Sequence, residues 1–264
     1  MSGATDRIFR LLRTASIASF FALTSGVSYA QDGPLQLRGY IKNLGLASSS
    51  VLEDRLRFLD ITRLRLRGIA ALSPHVRSEV WLDTEVLAGS FVGTAEFDIG
   101  RELERREWVD LDWQLASASN FVMKQRVFRA YVSAYTGSIT ATVGRQRVAW
   151  GTSFTWNPTD LLNPFNPAAI ELGEKTGMDG VHISVATGDF SRIEIAYAQG
   201  DRKSESSVAA RSSTKLGEYD VSFMGGYFRD DWVVGGDFAG YVGDAGLRGE
   251  IAYTVTDARS DYLR

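Results

Sequence analysis

From Thr62 to Leu72 the chain reads TRLRLRGIAAL. Arg63, Arg65 and Arg67 fall on one parity, and Leu64, Leu66, Gly68, Ala70 and Leu72 on the other. A β-strand points successive side chains to opposite faces, so one wall of this segment is charged and the other apolar. Arginine is costly to bury alone, so the charged wall needs water or partners. A sheet built this way either covers a soluble core or stands in a membrane, with lipid outside and a watery lumen inside.

The rest of the chain bears on that choice. After residue 30 there is no apolar run long enough for a transmembrane helix. A mean hydropathy of −0.11 suits a soluble protein, but also a β-barrel with a polar lumen and polar loops. Residues 1–30 read as a secretory signal peptide. Arg7, Arg10 and Arg13 form its basic region, Ala15 to Thr24 its apolar stretch, and Ser28 and Ala30 a small-x-small cleavage pattern before Gln31. Its removal takes three arginines and Asp6, which leaves 26 basic and 31 acidic residues and a net charge of −5. That balance gives no nucleic-acid footprint. There is no cysteine, so disulfides and cysteine-based metal sites are excluded.

Residues 31–264 are expected to form one all-β domain, an antiparallel outer-membrane barrel with about ten strands present. The predicted strands are Leu35 to Asn43, Thr62 to Leu72, Val76 to Val86, Arg126 to Tyr135, Ile139 to Trp150, Val181 to Ala186, Arg192 to Ala198, Leu216 to Met224, Trp232 to Phe238 and Leu247 to Val255. Tight turns at 73–75, 136–138, 188–189 and 229–231 contrast with long connections at 89–120, 152–178 and 200–213. Short turns at one end and long loops at the other is the habit of outer-membrane barrels. Aromatic residues near strand ends, among them Tyr135, Trp150, Phe190, Phe228, Trp232 and Tyr253, are candidates for interfacial girdles. In the fifth strand Arg145 and Arg147 share parity with Ile139, Ala141 and Val143. Either a bulge near Gly144 swaps the faces, or these arginines lie above the hydrocarbon.

The segment Gly144 to Pro167, GRQRVAWGTSFTWNPTDLLNPFNP, is the most distinctive in the chain. It resembles the porin-like outer-membrane barrels of Gram-negative bacteria, in several of which a GRQ…WG strand leads into a loop carrying an NP-D-NP sequence. The resemblance implies an outer-membrane location, dependence on the barrel-insertion machinery, contact with lipid and lipopolysaccharide, and passive passage of small hydrophilic solutes. It leaves a homo-oligomer open. Such barrels usually finish on an aromatic residue. Here the chain ends TDARSDYLR, a polar turn followed by what reads as the start of another strand, so the favoured expectation is a larger barrel interrupted at its C-terminus, and the other is ten strands that close with a frayed polar tail.

Two groups of residues are candidates for function. Arg145, Arg147, Trp150, Asn157, Pro158, Asp160, Asn163 and Pro164 belong to a loop stiffened by Asn-Pro turns. Such a loop either folds inward to narrow a lumen or packs on the rim. Arg38, Lys42, Arg63, Arg65, Arg67, Arg77 and Arg129, with Glu79, Asp83 and Glu85, fall on the polar parity. Asp160, Glu171 and Glu174 of the loop are placed to face them. These charges either line a pore and set its selectivity, or neutralise one another across neighbouring strands. The charge run Gly100 to Trp113 reads as a short external helix. His75 and His182 are the only histidines, and no nucleophile, phosphate-loop or metal motif accompanies them, so no enzyme, cofactor or metal is expected. The expected function is a porin-type channel. The alternative is a non-conducting barrel serving as a surface scaffold, adhesin or assembly factor.

Overall fold

The structure, a computed structural model, describes residues 21–28, 33–49, 55–104, 108–153, 157–162 and 177–256. The basic part of the predicted leader, its cleavage point, Asn163, Pro164, Glu171, Glu174 and the C-terminal tail lie outside them. The first strands are β1 (Phe21–Ser28), β2 (Leu35–Ser49), β3 (Leu56–Ser73) and β4 (Val76–Ala88). Helix α1 (Ala95–Glu104) and strand β5 (Asp112–Ala118) lie in the connection to β6 (Phe121–Thr136). Then come β7 (Ile139–Gln146), β8 (Met178–Gly188), β9 (Ser191–Gln199), β10 (Ser207–Leu216), β11 (Tyr219–Phe228), β12 (Asp231–Val242) and β13 (Ala245–Thr256).

All thirteen strands belong to one antiparallel sheet. Its order follows the chain from β1 to β13, except that β5 sits off the path, on β6. β6 is long enough to take β5 beside residues 121–126 and β7 beside residues 130–136 on the same edge. Among the described residues no hydrogen bonds join the two ends of the sheet. β1 falls inside the predicted leader and pairs with β2 from Phe21↔Gly45 to Ser28↔Arg38. Cleavage after Ala30 would remove it and free the β2 edge.

The connections divide sharply. At one end, two residues suffice to join β3 to β4, β6 to β7, β8 to β9, β10 to β11 and β12 to β13. Gly137, Gly217 and Gly243 each open one of these turns with φ between 54° and 63°. That is a position where glycine meets no steric penalty and where the turn twist matches the strands. The other end carries the long connections and one tight turn, Arg229-Asp230, whose two residues both have positive φ. The sequence reading differs here. It missed β10 and so placed Arg229-Asp230 among the short-turn end, with 217–218 inside the predicted strand Leu216 to Met224 and 243–244 unassigned. β10 reads SVAARSSTKL, and its small and hydroxyl side chains give almost no hydropathy contrast to detect.

The two faces of the sheet are chemically distinct. Leu37, Ile41, Leu64, Leu66, Val80, Val132, Val143, Ile183, Ile195, Phe223, Val234, Ile251 and Tyr253 are all exposed. The register places them on one face, as in Ile41↔Leu64, Val132↔Val143, Ile183↔Ile195 and Val234↔Tyr253. The opposite face is the covered one, and it holds the buried charges: Arg65, Glu79, Asp83, Glu85, Arg126, Glu194 and Asp237.

Two irregularities adjust this alternation. Between Trp81 and Leu82 the register with β6 shifts so that Phe128 has no partner of its own. The bulge turns Phe128 onto the polar face, where it is buried, whereas alternation alone assigned it to the apolar one. At Gly144 the backbone takes φ 118°, and a Cβ there would collide with the Ala130 carbonyl oxygen. Regular pairing ends two residues later, at Gln146 rather than Trp150. Of the proposed girdle, Trp150 and Phe228 are buried, while Phe190, Trp232 and Tyr253 are exposed. Replacing Gly144 by Ala should destabilise the protein by about 2 kcal/mol or more, read from denaturant unfolding. An unchanged midpoint would show that the positive φ is not required.

Candidate functional site

The polar face of β3, β4 and β6 is organised around arginine. In the register, Arg63 faces Glu85, Arg65 faces Asp83 and Arg67 faces Trp81. Arg65 donates through Nε and Nη2 to the two oxygens of Asp83, both at 2.5 Å, and the pair is only 2% and 1% exposed. Arg63 donates through Nε to Glu85 at 2.6 Å, and Lys124 reaches the other oxygen of Glu85 at 2.8 Å. Arg67 and Arg77 share Glu79, at 2.7 and 3.5 Å. A bidentate guanidinium–carboxylate pair meets both the charge and the geometry of its members, which is what burial at this depth demands.

Aromatic rings fill the gaps in this ladder. The Arg65 guanidinium lies 3.9 Å from the Phe128 ring centre and 5.3 Å from Trp81. Arg129 lies 4.3 Å and Arg67 4.8 Å from Trp81. Trp81 and Phe128 are stacked at 6.0 Å, and the Trp81 indole N–H donates to Glu79. The bulge at Phe128 makes this possible, since it places Phe128 and Arg129 on the polar face together. Toward the long-loop end the same face turns apolar. There Leu44, Leu59, Ile61, Leu87 and Val122 are roofed by Val92 of the following loop and Phe97 of α1. The helix expected over Gly100 to Trp113 overlaps α1 only at 100–104, Asp112 and Trp113 belong to β5 instead, and Phe97 packs inward.

Toward the short-turn end lies a cavity of about 390 Å³. Arg67, Arg77, Arg129 and Arg147 line it, with Glu79 and Tyr131 among its other walls. Hydroxyls of Ser133 and Thr142, 2.9 Å apart, lie on its floor. His182 also lines it and contacts Glu194 at 3.1 Å. Glu194 pairs in turn with Arg211, which reaches Asp237 at 3.2 Å. A continuous polar track thus crosses from β4 to β12.

The loop after β7 crosses the same face. Pairing runs through Gly144 without a register shift, so Thr140, Thr142 and Gln146 stay on the cavity side, and Arg147, just past the end of β7, lines the cavity as well. Arg145 is instead buried at the junction of β5, β6 and β8 and bonds both oxygens of Asp179 and the Val127 and Val109 carbonyls. Val148, Trp150 and Leu162 pack on Ala196, Ala209, Met224 and Val233 of β9 to β12. Asn157 and Pro158 begin a tight turn, closed by the Asp160 N–H donating to the Asn157 carbonyl at 3.1 Å, and Asp160 is buried. At the far side Glu250, in the middle of β13, accepts from the Thr152 and Ser153 N–H groups and from the Thr159 hydroxyl. Arg248 donates to the Thr152 carbonyl at 2.8 Å.

This reach has a geometric consequence. Thr152 is six residues past Gln146, about 22 Å at full stretch. β7 and β13 are six strand spacings apart, about 29 Å on a flat sheet. Joining them there would take a taut chain and the whole Glu250 side chain, yet Val148 and Trp150 dip aside to pack on the strands between. The polar face is therefore the concave one.

Of the other predicted residues, Arg38 is exposed and bonds the Gln36 side chain at 3.2 Å, and Lys42 shares its parity. Glu250, Asp179, Arg211 and Glu194 were not singled out from sequence. Each is one charge within an ordinary alternation, and only the register gives it a partner. Among the described residues no group of three or more histidine or acidic side chains is placed to hold a metal ion. No described helix is long and apolar enough to cross a membrane. A scan against protein-family models finds no match, and neither does a search of curated protein sequences.

Two outcomes test this arrangement. Asp83→Ala should cost about 3–5 kcal/mol in denaturant unfolding, because it strands a buried guanidinium. The double variant Arg65→Met with Asp83→Leu should cost less, and the reverse order would contradict the pairing. Glu250→Ala should speed limited tryptic cleavage after Arg147, whereas an unaltered rate would mean that Glu250 does not hold the loop.

Proposed function

We infer that the chain forms an outer-membrane, porin-type barrel that passes small hydrophilic solutes or ions, with no catalytic role. One observation carries this reading: the exposed face is the apolar one, and the charges are gathered on the concave face. Fully burying a leucine, valine, isoleucine or phenylalanine side chain is worth roughly 1.5–3 kcal/mol. A continuous row of them from β2 to β13 would be an aggregation liability in water, but it is the expected coat in lipid. Hydrocarbon offers no partners to a strand edge, so function in a membrane requires the edges at β2 and β13 to be joined, directly or through further strands.

Other features agree. Two-residue turns at one end and long connections at the other match the periplasmic and extracellular sides of such barrels. Residues 147–153 and 157–162 of the loop lie across the concave face down to mid-strand, where they would narrow a lumen rather than decorate a rim. The partners implied are membrane lipid and lipopolysaccharide, the insertion machinery, and the solutes themselves. The N-terminal segment fits export.

Planar-bilayer recording of the refolded protein should give discrete conductance steps. Their absence from protein that inserts would leave the non-conducting scaffold, a reading favoured by the extent to which loop and ion pairs fill the concave face. Val234→Arg, on the apolar face, should weaken bilayer folding by about 2–4 kcal/mol if Val234 sits near the membrane midplane. A variant that folds into vesicles as well as its parent would contradict a lipid-facing β12.

A further inference from the structure

The charge ladder of the concave face is uneven. Above, Arg63, Arg65 and Lys124 are answered by Glu85 and Asp83 at 2.5–2.8 Å. In the cavity at the short-turn end, four guanidinium groups, those of Arg67, Arg77, Arg129 and Arg147, stand with one carboxylate, that of Glu79, among the described lining residues. Arg129 set aside, Arg67, Arg77 and Arg147 exceed Glu79 by two positive charges. Arg67 and Arg77 both lean on Glu79, and Arg129 lies over Trp81. Arg147 is exposed to the space and makes no ion pair among the described residues. Hydroxyl and amide groups of Tyr131, Thr142 and Gln146 complete the wall.

From this geometry we propose that the cavity is a binding site for a small oxyanion carrying two or more negative charges. The proposal rests on the channel reading only for its biological setting. Guanidinium forks match carboxylate and phosphate oxygens in pairs, and neighbouring hydroxyls supply donors to further oxygens. A monovalent ion such as chloride would leave half of that excess charge unanswered. A cation would meet net repulsion, and a neutral sugar would forgo the charge altogether. The volume of about 390 Å³ lies within the range of small-molecule sites and exceeds what a bare inorganic ion fills. Phosphate and polycarboxylates share the recognising chemistry, and the experiment separates them. In a channel such a site would lie below the loop, so a solute passing it would be held before leaving at the short-turn side.

The test is isothermal titration calorimetry of the full chain, folded in detergent, with citrate, inorganic phosphate, chloride and glucose. Citrate or phosphate should bind at least tenfold more tightly than chloride, with no heat from glucose, and the tighter of the two names the source. Arg147→Gln should weaken that binding at least tenfold, since it removes a charge-assisted pair at a residue that makes no ion pair among the described residues. Arg129→Gln is the second variant, and heat-modifiable gel migration checks that each remains folded. Equal binding of chloride and the oxyanions, or unchanged oxyanion affinity in folded Arg147→Gln, would overturn the site. Potassium chloride conductance is recorded separately. Protein that conducts but binds no oxyanion removes the site and keeps the channel. Protein that binds but does not conduct keeps the site and removes the channel.

Discussion

A guanidinium group can enter a folded protein only if something answers its charge, and the rest of this structure depends on that constraint. Arg65 is 2% exposed, and it is held by a two-pronged contact with Asp83 on the neighbouring strand. Antiparallel pairing puts the two side by side, and alternation puts both on the concave face. The apolar residues between them then have no choice of side. A slip of one residue would turn every arginine of β3 toward the apolar face and every leucine toward the charges. The ion pairs need not add much net stability, given what desolvation costs. Their effect is to fix register.

The departures from regularity are as informative as the ladder. The bulge at Phe128 gives the face two consecutive residues, Phe128 and Arg129, where alternation would give one. Together with Trp81 they form a stacked core for the arginines. At the other wall β7 ends at Gln146, and the consecutive residues Gln146 and Arg147 both line the cavity. Both lie beside the unbalanced cluster of charge. Glu250, half the sheet away, then collects the loop by three donors. One carboxylate thus holds two described stretches of the most distinctive segment in the sequence.

Much of this was legible in the chain itself. Period-two patterning located β2, β3, β4, β6 and β13 and assigned their faces, because each carries charge on one parity and large apolar residues on the other. It failed at β10, where both parities are small or polar, and at β5, where a charge run masks a short strand. The arginine set on β3 and β4 was visible, but not its division into arginines that each face an acid and arginines that share Glu79, since partners depend on register. A face-swapping bulge near Gly144 was one of two expectations for Arg145 and Arg147, and the register runs through Gly144 without a shift.

The central claim is that lipid meets one face and water the other. The chain contains no cysteine, so any introduced one is a unique attachment point. Nitroxide labels at Ile251→Cys and Tyr253→Cys, and at Thr140→Cys and Thr142→Cys, can be read in bilayer vesicles. The account predicts that the first pair is relaxed by oxygen dissolved in the lipid and the second by a water-soluble nickel chelate. Chelate access at all four positions, or a protein that remains monodisperse in plain buffer, would contradict it.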